Sequence, residues 1–415
     1  MAADAEVIVA GAGPAGAAAA RALAAAGLDT LLIDRAHFPR NKPCGGGVSV
    51  RALRRFPWLE PALTEVDVHR IARLRLEAPD GAALDLDSGD PCVLLIRRVE
   101  FDHALVESAR NKGARLVQGF EIAQAEMGPG DVTLQARDGR RLTAPLVVAA
   151  DGVHSVVAKR LGVHQRWPRA SLAIDMMEET PCDRLSAARP DVLWVAYAYK
   201  GLDGYAYVFP KTRHVNAGIG CLLSHYDAAV REAPYRLQER FVSALVDRGL
   251  LAGRSDRECF TPFLIPVGGP LSRAWRGRVL LAGDAGGFVH AVTAEGIYYA
   301  MVSGDLAGRA IAERRTAPEK AGATYERLWR SEIGTELADA VLIQKYLFAS
   351  HARVNRVVGG AAAAPALTSM IIDYVRGDLP YAALRRRMLV RFPLTMVRMA
   401  RERWRRGGRV LEATE

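Results

Sequence analysis

The sequence has few cysteines, and no two of them have the spacing of a paired-cysteine motif. Its five cysteines, Cys44, Cys92, Cys182, Cys221 and Cys259, are scattered over 415 residues and never occur as CxxC. This pattern argues against a disulfide framework and against a zinc site, so we predict no metal. A reducing compartment is the expected environment.

A long hydrophobic run is also missing. The longest uncharged stretch, residues 357–372, is interrupted by Gly359-Gly360 and Pro365, and a bilayer span needs roughly 18 uninterrupted apolar residues. No basic leader with a small-residue cleavage site precedes the first apolar segment. The sequence therefore predicts a cytoplasmic protein without a spanning helix.

Acidic residues are scarce near the C-terminus. Residues 385–409 hold ten arginines and one acid, Glu402, and so supply +9 of the net charge of +10. Apolar residues such as Phe392 and Trp404 lie between the arginines, which is typical of an amphipathic segment on an anionic membrane surface. A solvated helix packed on the protein body is the alternative. No nucleic-acid module accompanies this charge, so we do not expect nucleic-acid binding.

The rest of the composition is that of a folded protein. Half of the residues are hydrophobic, 25% are charged and 7% are aromatic, which predicts a large core and two or three lobes. Residues 6–10, 14–26 and 30–34 form a strand, helix and strand in succession. Strand patterns follow at 71–96, near 116, at 146–151, over most of 168–265 and at 278–284, with helices at 99–112, 295–313 and beyond 321.

These elements predict an α/β fold, α+β overall, whose Rossmann-like domain is discontinuous. We assign this domain to residues 1–70, 98–165 and 275–320. A sheet-rich substrate domain would comprise residues 71–97 and 166–274. A helical, basic C-terminal region would comprise residues 321–415.

The strongest local motif is a glycine-rich turn. Gly11, Gly13 and Gly16 follow the first strand and open a helix, where glycines permit a tight turn and close approach of a pyrophosphate to the helix N-terminus. Asp34 ends the next strand and can accept hydrogen bonds from ribose hydroxyls. The motif predicts a bound dinucleotide without identifying which one.

Two later segments resemble the flavoprotein hydroxylase superfamily. LVVAADGVHS, with Asp151 and Gly152, is similar to its DG motif, and RVLLAGDAGGFVHAVTAEGI is similar to its GD motif. The resemblance implies that the dinucleotide is FAD. Asp284 ends a strand and can hold ribityl hydroxyls, and the helix start near Gly296 would direct its dipole at the flavin.

The stretch PCGGGVS at residues 43–49 resembles the geranylgeranyl reductase family, as do Arg98-x-x-Phe101-Asp102, the TAEGI turn and the strand at 205–210. The resemblance covers roughly residues 5–310. With the motifs above, it implies a Rossmann-like FAD-binding domain and the following cofactor contacts: Gly11, Gly13, Ala15, Gly16, Asp34, Arg35, Cys44, Gly45, Gly47, Arg98, Ile122, Asp151, Asp284, Gly296 and Ile297.

The sequence departs from that family at four positions. Ala291 and Ala294 stand where the family usually has proline and glycine, and Leu202 and Tyr207 stand where it tends to have proline and tryptophan. The loop in front of the flavin and the substrate strand are therefore both altered.

Four residues are candidates for catalysis. Cys44, in a glycine-rich loop near the flavin, could relay a proton, although a free cysteine is usually a small buried hydrophobe. Tyr205 and Tyr207 lie on one strand face and could donate protons or simply pack. His290 is a candidate acid or base, with a solvent-facing loop histidine as the alternative.

These features predict an FAD-dependent oxidoreductase of a lipophilic substrate. Reduction of prenyl double bonds needs a hydride, a proton and a dry apolar cavity. The alternative is a monooxygenase of a lipophilic or prenylated aromatic metabolite, which would need access to oxygen. A non-redox prenyl carrier is disfavoured because the acids of the flavin motifs are retained, and the strand at 205–210 argues against a halogenase. The external reductant would be NAD(P)H or ferredoxin.

Overall fold

The computed structural model describes residues 3–390 of the chain. In chain order its strands are β1 (Val7–Ala10), β2 (Thr30–Ile33), β3 (Gly47–Ser49), β4 (Val68–Ile71), β5 (Arg73–Glu77), β6 (Ala83–Asp87), β7 (Val93–Ile96), β8 (Arg115–Val117), β9 (Ile122–Met127), β10 (Val132–Ala136), β11 (Arg141–Ala144), β12 (Leu146–Ala149), β13 (Leu172–Pro181), β14 (Leu185–Ala187), β15 (Val192–Tyr197), β16 (Gly204–Pro210), β17 (His214–Leu222), β18 (Leu251–Gly253), β19 (Phe260–Pro266), β20 (Trp275–Arg276) and β21 (Val279–Leu281).

The helices are α1 (Pro14–Ala25), α2 (Arg51–Arg55), α3 (Leu59–Ala62), α4 (Arg98–Arg110), α5 (Val156–Arg160), α6 (Leu223–Ala229), α7 (Pro234–Asp247), α8 (Ile297–Glu313), α9 (Ala321–Trp329), α10 (Thr335–Leu347), α11 (His351–Ala362) and α12 (Pro365–Arg376). Residues 381–390 are helical as well. The predicted α/β fold is confirmed.

A six-stranded sheet in the order β20-β21-β12-β1-β2-β8 carries the nucleotide-binding motifs. Its central strand β1 pairs in parallel with β2 and β12, and all three are buried throughout, as parallel strands covered on both faces must be. Helix α1 starts with Pro14 at its first position and ends before Gly27, whose φ is 75°. The sheet thus directs the N-terminus of α1 to the carboxyl ends of the strands.

Helix α8 crosses α1 at very short range. A Cβ added at Gly304 would lie 2.0 Å from the backbone oxygen of Ala15, so only glycine permits this approach. The crossing brings the N-terminus of α8 beside the glycine-rich turn that precedes α1.

A second, seven-stranded sheet has the order β19-β13-β17-β16-β15-β5-β6. One of its faces packs against α7 through Leu237, Phe241 and Leu245. The opposite face carries Tyr205, Tyr207 and other aromatic side chains, and looks toward the loops of the first sheet. The second sheet therefore forms a wall in front of the nucleotide-binding edge.

One sequence expectation differs from the structure, and one sheet pairing was not predicted. The stretch expected to be mostly strand contains α7, whose apolar residues recur at the spacing of one helix face. Strand β7 does not join the large sheet but pairs with β3 and β4 in a small sheet of three. The residue boundaries of the domains stay predictions.

The C-terminal helices cover the open side of the molecule. Among residues 3–390, no single helix is long and apolar enough to cross a bilayer; only the pair α11 and α12, bent by 94° at its break, reaches that length and hydropathy. Of the predicted amphipathic segment 385–409, residues 391–409 lie outside the described part of the chain.

Candidate functional site

The glycine-rich turn has the geometry that its motif predicts. Gly11 has a φ of 95°, and a Cβ there would lie 2.3 Å from the backbone oxygen of Ala150. At Gly16 a Cβ would lie 1.7 Å from the backbone oxygen of Gly11, so the turn and α1 could not pack this closely with any other residue. Gly13 is the N-cap of α1 and makes no side-chain cap, and a Cβ there would meet only the end of Arg40 at 3.8 Å. This open helix N-terminus beside Ala15 fits a pyrophosphate.

Asp34 lies at the end of β2, where a ribose-binding acid is required. Its carboxylate accepts hydrogen bonds from the backbone N–H groups of Ala12, at 2.8 Å, and Ala36, at 2.9 Å. These bonds fix the carboxylate next to the glycine-rich turn. The neighbouring Arg35 is exposed, and its predicted cofactor contact stays a prediction.

A row of buried charges runs from Asp34 to Cys44. Arg40 lies 3.9 Å from Asp34 and donates to Asp102 at 2.8 Å. Asp102 also accepts both N–H groups of Arg98, at 2.6 and 2.7 Å. Burial alone would lower the pKa of Arg98, but Asp102 and the sulfur of Cys44 outweigh it and raise this pKa. Arg98 is thus a permanent cation beside the Cys44 thiol.

Two predicted contacts have other partners in the structure. Asp151 accepts hydrogen bonds from the Ser155 hydroxyl, at 2.5 Å, and from the Val156 backbone, at 2.8 Å, so it holds the start of α5. Ile122 begins β9, two residues after Phe120, whose N–H donates to the backbone oxygen of Asp34 at 2.9 Å. Asp151 therefore stabilises the start of α5, and the cofactor contacts of Asp151 and Ile122 stay predictions.

Asp284 and the start of α8 form the other end of the site. A Cβ added at Gly296 would lie 3.7 Å from an oxygen of Asp284, so the N-cap of α8 and this carboxylate are neighbours. The Lys42 ammonium lies 3.9 Å from Asp284. Among residues 3–390 the Asp284 side chain accepts no hydrogen bond, which leaves it available to ribityl hydroxyls, and the buried Ile297 continues the helix.

The Cys44 loop lies between the two sheets. The Cys44 thiol accepts a hydrogen bond from the Gly46 N–H at 3.4 Å, and its backbone oxygen accepts one from the Asn216 side chain at 3.2 Å. Gly45 and Gly47 face the Phe209 ring of β16. A Cβ atom added at Gly45 would lie 3.0 Å from this ring, and one added at Gly47 would lie 3.3 Å from it. Glycines are therefore needed for the loop to approach the substrate sheet.

A cavity opens between β13, β16 and β17 of the second sheet and the loop that follows Asp284. It holds about 410 Å³ of empty space, including its open side. Its walls are mostly apolar and come from the sheet, the loop and α10: Ile265, Val267, Ala291, Ala294, Leu222 and Phe348. Gln344 of α10 donates to the backbone oxygen of Ala291 at 2.8 Å and holds the helix against this loop. The apolar walls of this cavity suit an apolar group of a ligand.

Both candidate tyrosines face this cavity. The Tyr205 hydroxyl donates to the backbone oxygen of Thr293 at 2.7 Å and ties the substrate strand to the loop. The Tyr207 hydroxyl donates to Asp175 at 3.0 Å. Burial raises the pKa of both hydroxyls well above the usual range, so both keep their protons at physiological pH.

His290 has little capacity to act as an acid. Burial and, to a smaller extent, the Arg51 cation lower its pKa to about 3. Its Nδ1 lies 3.0 Å from the Thr293 hydroxyl, and its ring stacks on Tyr299 at 6.0 Å. The ring is half-buried and neutral, which leaves His290 a role in shaping the loop and disfavours proton donation from an imidazolium.

Sequence reasoning missed Arg40, Lys42 and Asp175 as site residues. Asp102 was part of a recognised motif, and its spacing of four from Arg98 on a helix was a usable signal. Asp175 interrupts an apolar strand, and a lone carboxylate at a strand position that should face inward is the signal that could have identified it.

The comparisons with known proteins agree with this geometry. A family model described as an FAD binding domain matches residues 4–340. Menaquinone reductase of Mycobacterium tuberculosis is 30% identical over 345 residues, covering 79% of each chain. Digeranylgeranylglycerophospholipid reductase of Methanocella arvoryzae is 30% identical over 355 residues, covering 81% of this chain and 86% of that protein.

A solved structure of a geranylgeranyl bacteriochlorophyll reductase-like protein from Thermoplasma acidophilum has the same fold. It superposes with a TM-score of 0.74 at 20% identity, covering 86% of this chain and 91% of that one. The fold and the dinucleotide site define an FAD-dependent oxidoreductase. Within that class, the chain belongs to the geranylgeranyl reductase family. The predictions of FAD, of an enzyme and of this family are confirmed.

Proposed function

We propose that the enzyme reduces carbon–carbon double bonds in the prenyl chain of a lipophilic substrate. The observation that carries the proposal is the mostly apolar cavity between the second sheet and the loop after Asp284. The names of the relatives, reductases of menaquinone and of a digeranylgeranyl phospholipid, support a substrate with an isoprenoid chain.

Different residues of the chain would bind the cofactor and form the substrate cavity. Asp34, Asp284 and the open N-terminus of α1 would hold FAD, which supplies a hydride when it is bound and reduced. The apolar walls exclude water from the reacting bond. Tyr205 holds the loop at Thr293 against the substrate strand, so the cavity keeps its shape next to the flavin-side loops.

We propose NAD(P)H or ferredoxin as the external reductant. Anaerobic mixing of the oxidised protein with NADH, NADPH or reduced ferredoxin, followed by flavin absorbance, distinguishes these donors. Bleaching by a nicotinamide would identify a hydride donor, and bleaching by ferredoxin alone would identify an electron donor.

We also propose that the enzyme is cytoplasmic and that it contacts a membrane surface when it takes up substrate. Helix α10 supports this because it exposes large apolar side chains on its outer side. Leu342, Ile343 and Tyr346 are 65%, 45% and 45% exposed, whereas Gln344 of the same helix and the adjacent Phe348 line the cavity. An apolar surface at the rim of a lipid cavity suits transfer from a bilayer.

Product analysis tests the proposed reaction. Chemically reduced enzyme is incubated with geranylgeranyl diphosphate, menaquinone and a panel of lipophilic aromatic compounds, with and without oxygen, and the products are weighed by mass spectrometry. A gain of two hydrogens without oxygen, located in the prenyl chain by fragmentation, is the expected result, whereas two hydrogens on the quinone ring of menaquinone would show only quinone reduction. A gain of one oxygen atom only in air would replace the proposal with a monooxygenase, and prenyl-lipid binding by a flavin-free protein would replace it with a carrier.

A further inference from the structure

The cavity wall contains one carboxylate, Asp175, that the flavin site does not use. Asp175 lies in the middle of β13 and its residue is 6% exposed. One oxygen accepts the Tyr207 hydroxyl at 3.0 Å. The other oxygen is fully enclosed and has no hydrogen-bond partner within residues 3–390. A buried carboxylate with half of its acceptors unused is costly unless it carries a proton.

Two glycines of β17 create this arrangement. Strand β17 lies between β13 and β16. Gly220 is paired with Asp175 of β13 and with Tyr205 of β16, and Gly218 is paired with Tyr207 of β16. A Cβ at Gly218 would lie 2.4 Å from the Tyr207 ring, so the ring passes over β17 where a side chain would stand. The tyrosine can reach Asp175 on β13 only because of this gap.

The surroundings of Asp175 keep its proton on. Burial raises the pKa of Asp175 to about 7, and the Tyr207 hydroxyl only partly offsets this. The titratable groups that face the pair or its neighbours are Tyr197, Tyr205, Tyr207, Cys221, Asp203, Cys44 and Glu295. Within residues 3–390, no lysine or arginine is among the groups that shift the pKa of Asp175. β19, on the other side of β13, has no titratable side chain.

We propose that Tyr207 delivers the proton in the reduction and that Asp175 replaces it. The inference rests on the proposed prenyl reduction. When Asp175 is protonated, its acid group can donate to the Tyr207 oxygen across the same 3.0 Å contact, which frees the tyrosine O–H for the cavity. Tyr207 is then the catalytic donor, and Asp175 acts through it.

The proposed step balances. The π bond of the substrate breaks as one carbon gains a hydride, with its electron pair, from the reduced flavin, and the other carbon gains the Tyr207 proton. Tyr207 takes the proton of Asp175, which is left as a carboxylate. Asp175 recovers a proton from water when the product leaves. The flavin is oxidised and the double bond is reduced.

The test uses the full-length holoenzyme with Asp175→Asn, Tyr207→Phe and a matched control, Glu178→Gln. Glu178 is another buried carboxylate of β13 whose burial raises its pKa, but it bonds Ser255 and the Asp256 backbone and does not line the cavity. Infrared difference spectra between pH 5 and pH 9 should show a carboxylic-acid band that titrates near pH 7 and disappears in Asp175→Asn. This readout needs no turnover.

Single-turnover kinetics give the second readout. Reduced flavin is mixed anaerobically with geranylgeranyl diphosphate or menaquinol, whichever has its prenyl chain reduced by the wild type, and flavin reoxidation is followed. Asp175→Asn and Tyr207→Phe should keep their flavin and slow reoxidation about 100-fold or more. The wild-type rate should fall as pH rises through about 7, and Asp175→Asn should lose this step. Glu178→Gln should behave as the wild type.

The outcomes separate the two proposals. Wild-type rates and an unchanged pH profile in Asp175→Asn, or a titrating band that survives the substitution, would overturn the role of Asp175. Wild-type rates in Tyr207→Phe would overturn the donor assignment even if Asp175→Asn fails to fold. A wild-type enzyme whose reduced flavin is oxidised by neither prenyl compound would overturn the proposed function itself.

Discussion

Ala294 adopts a backbone conformation that favours glycine. Its φ is 51°, in the left-handed region where a Cβ costs about 1–2 kcal/mol. The family usually has glycine at this position, and the structure supplies the physical reason. The loop around Ala294 lines the substrate cavity, so the departure stores strain beside the reaction site.

We predict that Ala294→Gly stabilises the protein by about 1 kcal/mol, because the relief of strain exceeds the entropy cost of glycine. Urea unfolding of the holoenzyme measures the change. Ala291→Gly, three residues earlier in the same loop and at an ordinary φ, is the matched control and should destabilise by about 0.5–1 kcal/mol. Equal losses in both variants would contradict the assignment of strain to Ala294.

Asp284 is the residue whose removal should affect flavin binding directly. Because its carboxylate has no hydrogen-bond donor among residues 3–390, its contribution should appear only when flavin is bound. A hydrogen bond to a charged group contributes about 1.5–3 kcal/mol, so Asp284→Ala should weaken FAD binding about tenfold or more.

Fluorescence titration of the apoprotein with FAD measures this loss. Asp138→Ala, an exposed aspartate in the turn between β10 and β11, should bind FAD as the wild type does. Unchanged affinity in Asp284→Ala would remove this residue from the cofactor site.

At the residue level, the sequence predicts what a local motif encodes. Gly11, Gly16 and Asp34 are recognisable because spacing along one βαβ unit determines their geometry. Arg40 was not predictable, because its role depends on a contact with a residue 62 positions away. Asp175 is conspicuous as a carboxylate in an apolar strand, but its partner Tyr207, 32 positions away, was not predictable. Contacts between residues so far apart in the chain produce no periodic pattern in the sequence.

Four elements meet at the guanidinium of Arg51. From α2, Arg51 donates to Glu336 of α10 at 3.0 Å, to Tyr299 of α8 at 2.7 Å and to Tyr374 of α12 at 2.5 Å. Glu295, just before α8, lies 3.6 Å away. Burial alone would lower the pKa of Arg51, but these partners outweigh it and raise this pKa. The buried Arg51 guanidinium thus links the C-terminal helices α10 and α12 to α2 and α8 of the Rossmann-like part.

We predict that Arg51→Met destabilises the protein by about 3–5 kcal/mol, because it leaves Glu336 as a buried carboxylate without a cation. Adding Glu336→Gln to Arg51→Met should recover part of the loss. Urea unfolding of the wild type, both single variants and the double variant measures the coupling. Additive effects of the two substitutions would show that the pair is not energetically linked.

At the element level, strands and helices with a strict period were predictable, and the exceptions have physical causes. The strand pattern at residues 71–96 did not indicate sheet partners, and only the structure shows that β7 pairs with β3 and β4. Helix α7 was hidden among strands although its apolar face has helical spacing. Sheet partners are set by tertiary contacts, which a pattern along one strand does not contain.

At the scale of the molecule, the C-terminal helices close a cavity that the two sheets leave open. Helix α10 presents Gln344 to the cavity and Leu342, Ile343 and Tyr346 to the outside. A group of exposed large apolar side chains often marks a surface that contacts a protein or a membrane. Within residues 3–390, nothing covers Leu342, Ile343 and Tyr346, and the proposed membrane contact would bury them.

We therefore predict that substitution of Leu342, Ile343 and Tyr346 by serine weakens binding to vesicles, measured by co-sedimentation with phosphatidylcholine vesicles with and without phosphatidylglycerol. Each apolar side chain contributes by burial at the interface, so the loss should persist in high salt, where attraction between arginines and anionic lipid is screened.

The control is Arg236→Ser with Arg240→Ser, at exposed positions of α7. It removes two positive charges elsewhere and should leave binding in high salt unchanged. Binding equal to wild type in the α10 variant would refute the role of this helix. A loss only on deletion of residues 391–415 would assign membrane contact to the arginine-rich segment alone.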